Sequence, residues 1–436
     1  MSDGTITELP IKSNEYSRID KPFEGVDVPV NVFTVYPDSN QVFTTWSGSK
    51  IHVPAHCFID KKGEPIKDSV QIVFKEYHRS ADIICSGIPM QNEDSDAIME
   101  TAGMFEISGT YNGSELEFQE GKEIEVDLVS FNEGNDFNFF ELEKNSCQWK
   151  DLGTNTPVEN MEKTVALKQL DQQMSDELLP FKNKKSIKTN QYFDFQLDYS
   201  SYPELAPFKN VVWMISDAKH KMDDLFREEW DSIQLNQTKK GYYSLALYHS
   251  SEILQMTIMP VLEGDDYDLA LQQFNQQTQG KRNEIIQKIN EKRQRVESMA
   301  NIRRLAKINK MGVFNFDVWK ALEFDKCRSE ILVDNQVVID EEMKGTRFFV
   351  LDQEQKYVIY YNLKTIKNNF AYDPHKKSTV LAILNDGSIA FVDWTVLEEH
   401  SKSAKKSMIT LNFQNSKQSI NTTNDVQQII DNIFFG

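Results

Sequence analysis

VQIVFKEY, residues 70–77, decides how the chain is read. Val70, Ile72 and Phe74 alternate with Gln71, Val73 and Lys75. A two-residue period places one set of side chains on a single face of a strand, whereas a helix needs apolar residues three and four apart. The same rhythm runs outward in both directions. Upstream lie VPVNVFTVY (28–36), QVFTTW (41–46) and KIHVP (50–54); downstream lie MFEISGTY (104–111), LEFQ (116–119), IEVDLVSF (124–131) and NFFELE (138–143). Turn-forming stretches separate them, among them Pro37-Asp38-Ser39-Asn40, Ser47-Gly48-Ser49 and Lys61-Lys62-Gly63-Glu64-Pro65. Short alternating strands punctuated this way predict an antiparallel β-sandwich over residues 26–153, preceded by a flexible arm at 1–25.

Beyond Gly153 the rhythm changes. Asn155-Thr156-Pro157 is a stop, and Val165, Leu167, Leu170 and Met174 give a weak helical period, so 154–189 reads as a linker with one helix. Its Lys182-Asn183-Lys184-Lys185 run reads as a solvated loop. Strand texture returns in YFDFQLDY (192–199), NVVWMI (210–215), DSIQLN (231–236), YYSLALYH (242–249) and ILQMTIMPVL (253–262), which predicts a second β-domain at 190–262. Residues 263–310 are then expected as a long helix or a helical hairpin divided at Gly280. Asp265 and Asp266 suit its positive end, while Arg293, Arg295, Arg303, Arg304, Lys307 and Lys310 suit its negative end. Lys292 and Arg303 interrupt the apolar stripe, so a coiled coil is not expected. Residues 311–436 read as a C-terminal β-rich domain. It contains a hairpin around Asn385-Asp386-Gly387-Ser388 and a closing helix over Asp425–Phe435. The fold class is therefore mainly β with α, and multidomain.

Composition narrows the function classes. Of 436 residues, 67 are acidic and 48 basic, a net charge of −19. Affinity for nucleic acid comes chiefly from neutralising phosphates, so a surface this negative argues against it and against anionic lipid. The acidity favours solubility, or a basic partner. The four cysteines, Cys57, Cys85, Cys147 and Cys327, are widely spaced and form no CxxC pair, so neither a zinc site nor a disulfide between them is expected. No run of about 18 apolar residues occurs, so membrane association is expected only through a lipid anchor or a partner. The opening MSDGTITELPIKSNEY lacks the basic and apolar regions of a signal peptide. The expected location is the cell envelope if the chain is a processed form, and the cytoplasm if Met1 is the native start.

Residue types capable of chemistry do not converge into a recognisable motif. His52 and His56 in IHVPAH have a spacing that would bind zinc on a helix, but Pro54 lies between them and the flanks read as strand and turn. The acidic runs Asn92-Glu93-Asp94-Ser95-Asp96 and Glu263-Gly264-Asp265-Asp266 do not follow a calcium-loop pattern. There is no GxSxG elbow, no GxGxxG and no GxxxxGK[ST]. The aromatic groups Phe137, Phe139 and Phe140, and Tyr242 with Tyr243, read as core. No catalytic, cofactor-binding or metal-binding residue is therefore expected, and no enzyme.

Three stretches carry a resemblance: GSKIHVPAHCFIDKKGEPIKDSVQIVFKEYHRSADIICSGIPM (48–90), METAGMFEISGTYNGSELEF (99–118) and FDFQLDYSSYPELAPFKNVVWMI (193–215). Together they resemble a lipoprotein-like family of cell-envelope proteins in Bacteroidota, and the first is also similar to a ZU5-type β-sandwich. The resemblance implies a place at the outer membrane or in the periplasm and supplies no active site. The expected function is that of a non-enzymatic scaffold or binding subunit of a larger surface or secretion-type complex, with a protein partner. The alternatives are a hydrolase acting on envelope polymers and a structural component of a phage-like or injection assembly.

Overall fold

In the computed structural model the strand Val70–Tyr77 buries Val70, Ile72 and Phe74 in one core, as its alternation predicts. The structure describes residues 19–91, 97–178, 192–193, 212–225, 230–239, 241–249, 252–261, 283–321, 324, 326–338, 340–403 and 407–436. The chain divides into two units: Met1–Asn160 with Ala300–Gly436, and Met161–Met299. It is mainly β with helices, several sheets being built from antiparallel pairs.

In the first unit, one sheet runs in the spatial order Val30–Val35, Val70–Tyr77, Ala97–Tyr111, Gly312–Ala321, Phe137–Leu142, Trp149–Asn155. A second runs Val158–Glu159, Ile302–Ile308, Ile124–Ser130, Lys50–Val53, Gln41–Thr44. Between them lies an apolar core in which Phe74, Phe105, Phe139, Phe314 and Phe316 face Ile51, Ile124, Val126, Leu128 and Ile308. Phe139 and Phe314 stack with centroids 5.5 Å apart, an offset arrangement suited to their ring quadrupoles.

The first sheet is apolar on both faces. Its outer face presents Tyr77, Met99, Met104, Phe140 and Val313 to a second core, shared with the helices Ser80–Ser86 and Thr423–Phe435. The same core takes in one face of a third sheet, ordered Gln336–Val337, Arg328–Val333, Met408–Asn415, Ile389–Val392, Ser378–Ile383, Arg347–Asp352, Val358–Tyr361. Arg328–Val333 and Met408–Asn415 pair in parallel; the other pairs of this sheet are antiparallel. Its other face packs on the helices Leu363–Asn369 and Trp394–Lys402 through Ile366 and Leu397. Asn362, Asp393 and Thr422 cap three of these helices by accepting from backbone N–H groups in the first turn.

Three expectations change. Residues 302–308, expected at the end of a helix, form a strand paired with Ile124–Ser130, and only 283–297 of the expected helix are seen as helical. Residues 312–321, expected in the C-terminal domain, lie in the middle of the first sheet between Ala97–Tyr111 and Phe137–Leu142. In both cases the pairing partners lie about 170–220 positions away, beyond the reach of local periodicity. Finally, part of the expected arm is docked: Phe23 is buried in the second core and Ile19 packs against it. Residues 1–18 lie outside the described residues, as do Gly280, Lys182–Lys185 and both acidic runs.

The hairpin at Asn385–Ser388 forms with a three-residue connection: Leu384 N–H bonds Ser388 O, and Gly387 adopts φ +80°. A type I turn followed by a left-handed glycine closes such a loop, in place of the two-residue primed turn that Asp-Gly suggests.

The second unit contains a sheet ordered Tyr192–Phe193, Val212–Ile215, Glu252–Val261, Tyr242–His249, Ser232–Lys239. Trp213, edge-on to Tyr243 at 5.3 Å, is buried with Leu245, Met256 and Ile258. Asp217 accepts from the backbone N–H groups of Lys219, His220 and Thr257 and contacts the His220 ring. Burial pushes its carboxyl up, but these bonds outweigh that and hold it below the usual range. The helix Met161–Leu178 meets residues 283–299 through Lys163, which donates to the Glu297 and Met299 carbonyls.

Candidate functional site

In the strand Val70–Tyr77, Glu76 occupies the fourth position of the core-facing set that begins with Val70, Ile72 and Phe74. An ionised carboxylate there must find hydrogen bonds or leave the core. It finds them at the mouth of the sandwich. Ser47 Oγ donates to Glu76 Oε1 at 2.7 Å, and His78 Nε2 lies 3.3 Å from the same oxygen. Burial alone pushes the Glu76 carboxyl up; the His78 ring and the hydroxyls of Ser49 and Ser47 overturn that and hold it below the ordinary carboxylate range.

These groups open onto a cleft of about 650 Å³ within the first unit. Its floor is a β-bulge. Asn315 pairs with Met104 and Asp317 with Thr101, so Ala102 and Gly103 together oppose Phe316. Gly103 has φ +129°, and a Cβ there would lie 3.0 Å from Leu128 and 3.8 Å from His78 Nδ1. The missing side chain keeps space beside the imidazole.

Below the bulge is a buried polar cluster. Asn315 Nδ2 donates to Asp317 Oδ2 at 2.5 Å, and Thr101 Oγ1 donates to Asn315 Oδ1. Burial raises the Asp317 carboxyl well above its ordinary value, against the hydrogen bonds from Thr101 and Asn315. Arg304, also fully buried, donates to Ser130 Oγ and to the carbonyls of Asn132 and Gly134, with its guanidinium 4.6 Å above the Phe137 ring.

One wall of the cleft comes from Glu76, His78, Arg79 and Asp82, the other from Glu354, Gln355, Lys356, Gln427 and Asp431. Gln355 sits at φ +54°, left-handed backbone unusual for a residue other than Gly, Asn or Asp. The turn is tied by buried Asp352, whose backbone carbonyl accepts from Gln355 N–H and whose side chain accepts from Lys356 N–H and Lys376 Nζ. Trp46 and Phe131 form the rim. Trp46 is 86% exposed although its loop is fixed, with Asn31 Oδ1 accepting from its backbone N–H and Arg303 donating to Gly48 O. Phe131 is 58% exposed and stands edge-on to the His78 ring at 5.6 Å. Two smaller hollows, about 500 and 540 Å³, contain the ion pairs Arg347–Asp20 and Lys310–Glu141 in their linings.

The order of the polar groups determines their chemistry. A serine nucleophile is activated when an imidazole stands between it and a carboxylate. Here the carboxylate stands between Ser47 and His78, which makes Ser47 a donor to Glu76.

The residues singled out from sequence lie elsewhere. His52 is in the strand Lys50–Val53, and His56 is at a turn with φ +54°, 3.8 Å from exposed Asp38. Among the described residues no group of three or more His, Cys, Asp and Glu is placed to hold a metal ion. The four cysteines are buried free thiols in three different cores. Burial pushes Cys57 and Cys85 up to about 12. Phe137, Phe139, Phe140 and Tyr243 are core residues, as read, while Tyr242 is half-buried. Sequence reasoning missed Trp46, Glu76, His78, Gln355, Gln427 and Asp431. Only Glu76 had a local signal, a charge in register with apolar neighbours.

No family model, no curated protein and no solved structure matches this chain.

Proposed function

We propose that the protein is a non-enzymatic binding subunit of an envelope-associated complex and that this cleft grips its protein partner. The observation that carries the reading is Trp46: a large aromatic ring held out in solvent on a loop that buried residues fix in place. Tryptophan is enriched among the few side chains that carry most of an interface's binding energy. The fixed loop also lowers the ordering cost of association. The envelope setting rests on the resemblance carried by residues 48–90, 99–118 and 193–215. It is compatible with the absence, among the described residues, of a helix long and apolar enough to cross a membrane.

The test is capture of partners from native envelopes, comparing the wild-type chain with Trp46→Ala. Removing the ring is expected to cost about 2 kcal/mol or more, roughly a thirtyfold loss of affinity, without changing the melting temperature. Equal capture by both chains would contradict the reading.

A hydrolase acting on envelope polymers has one observation in its favour: a histidine bonded to an ionised carboxylate at a cleft, the arrangement of a general base. Turnover of peptidoglycan fragments that disappears in His78→Gln would select it.

A further inference from the structure

The helix Thr423–Phe435 brings two residues to the cleft that nothing above has used. Asp431 Oδ1 accepts from Gln427 Nε2 at 2.8 Å and from Gln355 Nε2 at 3.2 Å. Both amides reach the same oxygen, and Asp431 has no cationic partner among the described residues. Gln427 Nε2 also donates to Gln355 Oε1 at 2.8 Å, which uses the donor end of that amide and fixes its orientation. The acceptor end is left over. Gln427 is 5% exposed and lines the cleft, and its Oε1 has no hydrogen-bond partner. A buried acceptor without a donor is costly, and a donor entering the cleft would remove that cost.

A ligand that suits this oxygen donates hydrogen bonds, and the local charge says what else it carries. Four carboxylates line the cleft, Glu76, Asp82, Glu354 and Asp431, against two fixed cations, Arg79 and Lys356. Arg79 is engaged by Asp82 and Lys356 by Glu354. Glu76 is answered by the His78 ring, which leaves Asp431 with a charge that no cation lining the cleft engages. Hydroxyls would satisfy Gln427 but leave that charge in place; a cation answers both. A guanidinium offers several N–H groups in one plane, which suits adjacent acceptors on a carboxylate and an amide, and it stacks on aromatic faces such as those at the rim.

We propose that the cleft takes an arginine side chain presented by the partner, bound through Asp431 and Gln427. The left-handed backbone of Gln355 is the strained element that holds the acceptors together. This inference rests on the cleft being the recognition site and adds the chemistry of what enters it.

The experiment is calorimetric titration of the full chain with the peptide Ac-Gly-Arg-Gly-NH2, and with the same peptide carrying citrulline, which keeps the shape and loses the charge. The arginine peptide is expected to saturate near ~1 mM or tighter, and the citrulline peptide to bind at least about tenfold more weakly. Asp431→Asn and, independently, Gln427→Met are each expected to weaken the arginine peptide about tenfold while leaving the melting temperature within a few degrees. Added salt should weaken it further. Equal binding of the two peptides, no response to arginine, or saturable binding of maltotriose in its place would overturn the inference. If those results appear while Trp46→Ala still abolishes partner capture, the cleft remains the binding site and only the arginine assignment fails. If arginine binds as expected and Trp46→Ala captures the partner normally, the cleft still takes a guanidinium and what fails is the partner as its source.

Discussion

Asp317 lies in the middle of the first sheet with no accessible surface, hydrogen-bonded to Asn315 at the bulge that floors the cleft. Burial raises its carboxyl well above the usual value, so the folded chain retains a proton that the unfolded chain releases. Its contribution to stability is therefore greatest below the ordinary carboxylate pKa and falls as pH rises towards the raised value. Asparagine has the same shape and does not ionise. Asp317→Asn should gain stability relative to the wild type as pH is raised from 4 to 8, by about 1 kcal/mol or more, one pKa unit's worth. Melting curves of both chains across that range would show the gap opening; a constant gap would mean the carboxyl is ionised in both states and is not raised by burial. Glu76 behaves in the opposite sense. Its carboxyl is held low, so its stabilisation is present above the ordinary value and is lost as pH falls through the folded one. At Gly103 the left-handed φ and the 3.0 Å approach to Leu128 predict that Gly103→Ala destabilises the fold by about 1–3 kcal/mol, readable in urea denaturation.

The strand Ile302–Ile308 shows which elements local sequence reveals. Arg304, Ala306 and Ile308 turn inward with a two-residue period, but two successive arginines at 303 and 304 read as the basic end of a helix. What makes them a strand is distant: Asp127 at 2.8 Å from Arg303, and the Asn132 and Gly134 carbonyls around Arg304. The alternating strands of the sandwich were legible because each carries its own burial pattern, Val70–Tyr77 most plainly. The short helices Ser80–Ser86 and Leu363–Asn369 were not, since seven residues are too few to display a period. The cleft was nearly invisible for the same physical reason. Gln355 and Gln427 are 72 positions apart and become neighbours only through packing of the closing helix, whereas Glu76 marks itself as a charge on an apolar face. Because Arg304 donates to buried Ser130 and to the half-buried carbonyls of Asn132 and Gly134, Arg304→Ala leaves all three without that donor, and a loss of roughly 1–3 kcal/mol is expected in urea denaturation. A loss under about 1 kcal/mol would show that water replaces the guanidinium.

At the scale of the whole molecule, the second unit is an insertion in the first. Val158–Glu159 pairs with Ile302 and Arg303, and Asn160 N–H bonds Asn301 O at 2.8 Å, so the points where the chain leaves and re-enters are neighbours. Replacing 161–299 by a few Gly-Ser residues costs little loop entropy and should leave a folded, cooperatively melting first unit with the cleft intact. Loss of cooperative melting would show that the first unit depends on the inserted segment. If the partner docks at this cleft, a photocrosslinker on its rim should reach it. Benzoyl-phenylalanine is placed at Phe131 in one chain and, as a control, at exposed Val337 on the edge strand Gln336–Val337 in another. One discrete protein adduct is expected from position 131 in native envelopes, competed by the arginine peptide, and none from 337. An adduct from 337 alone, or equal adducts from both, would contradict docking at this cleft.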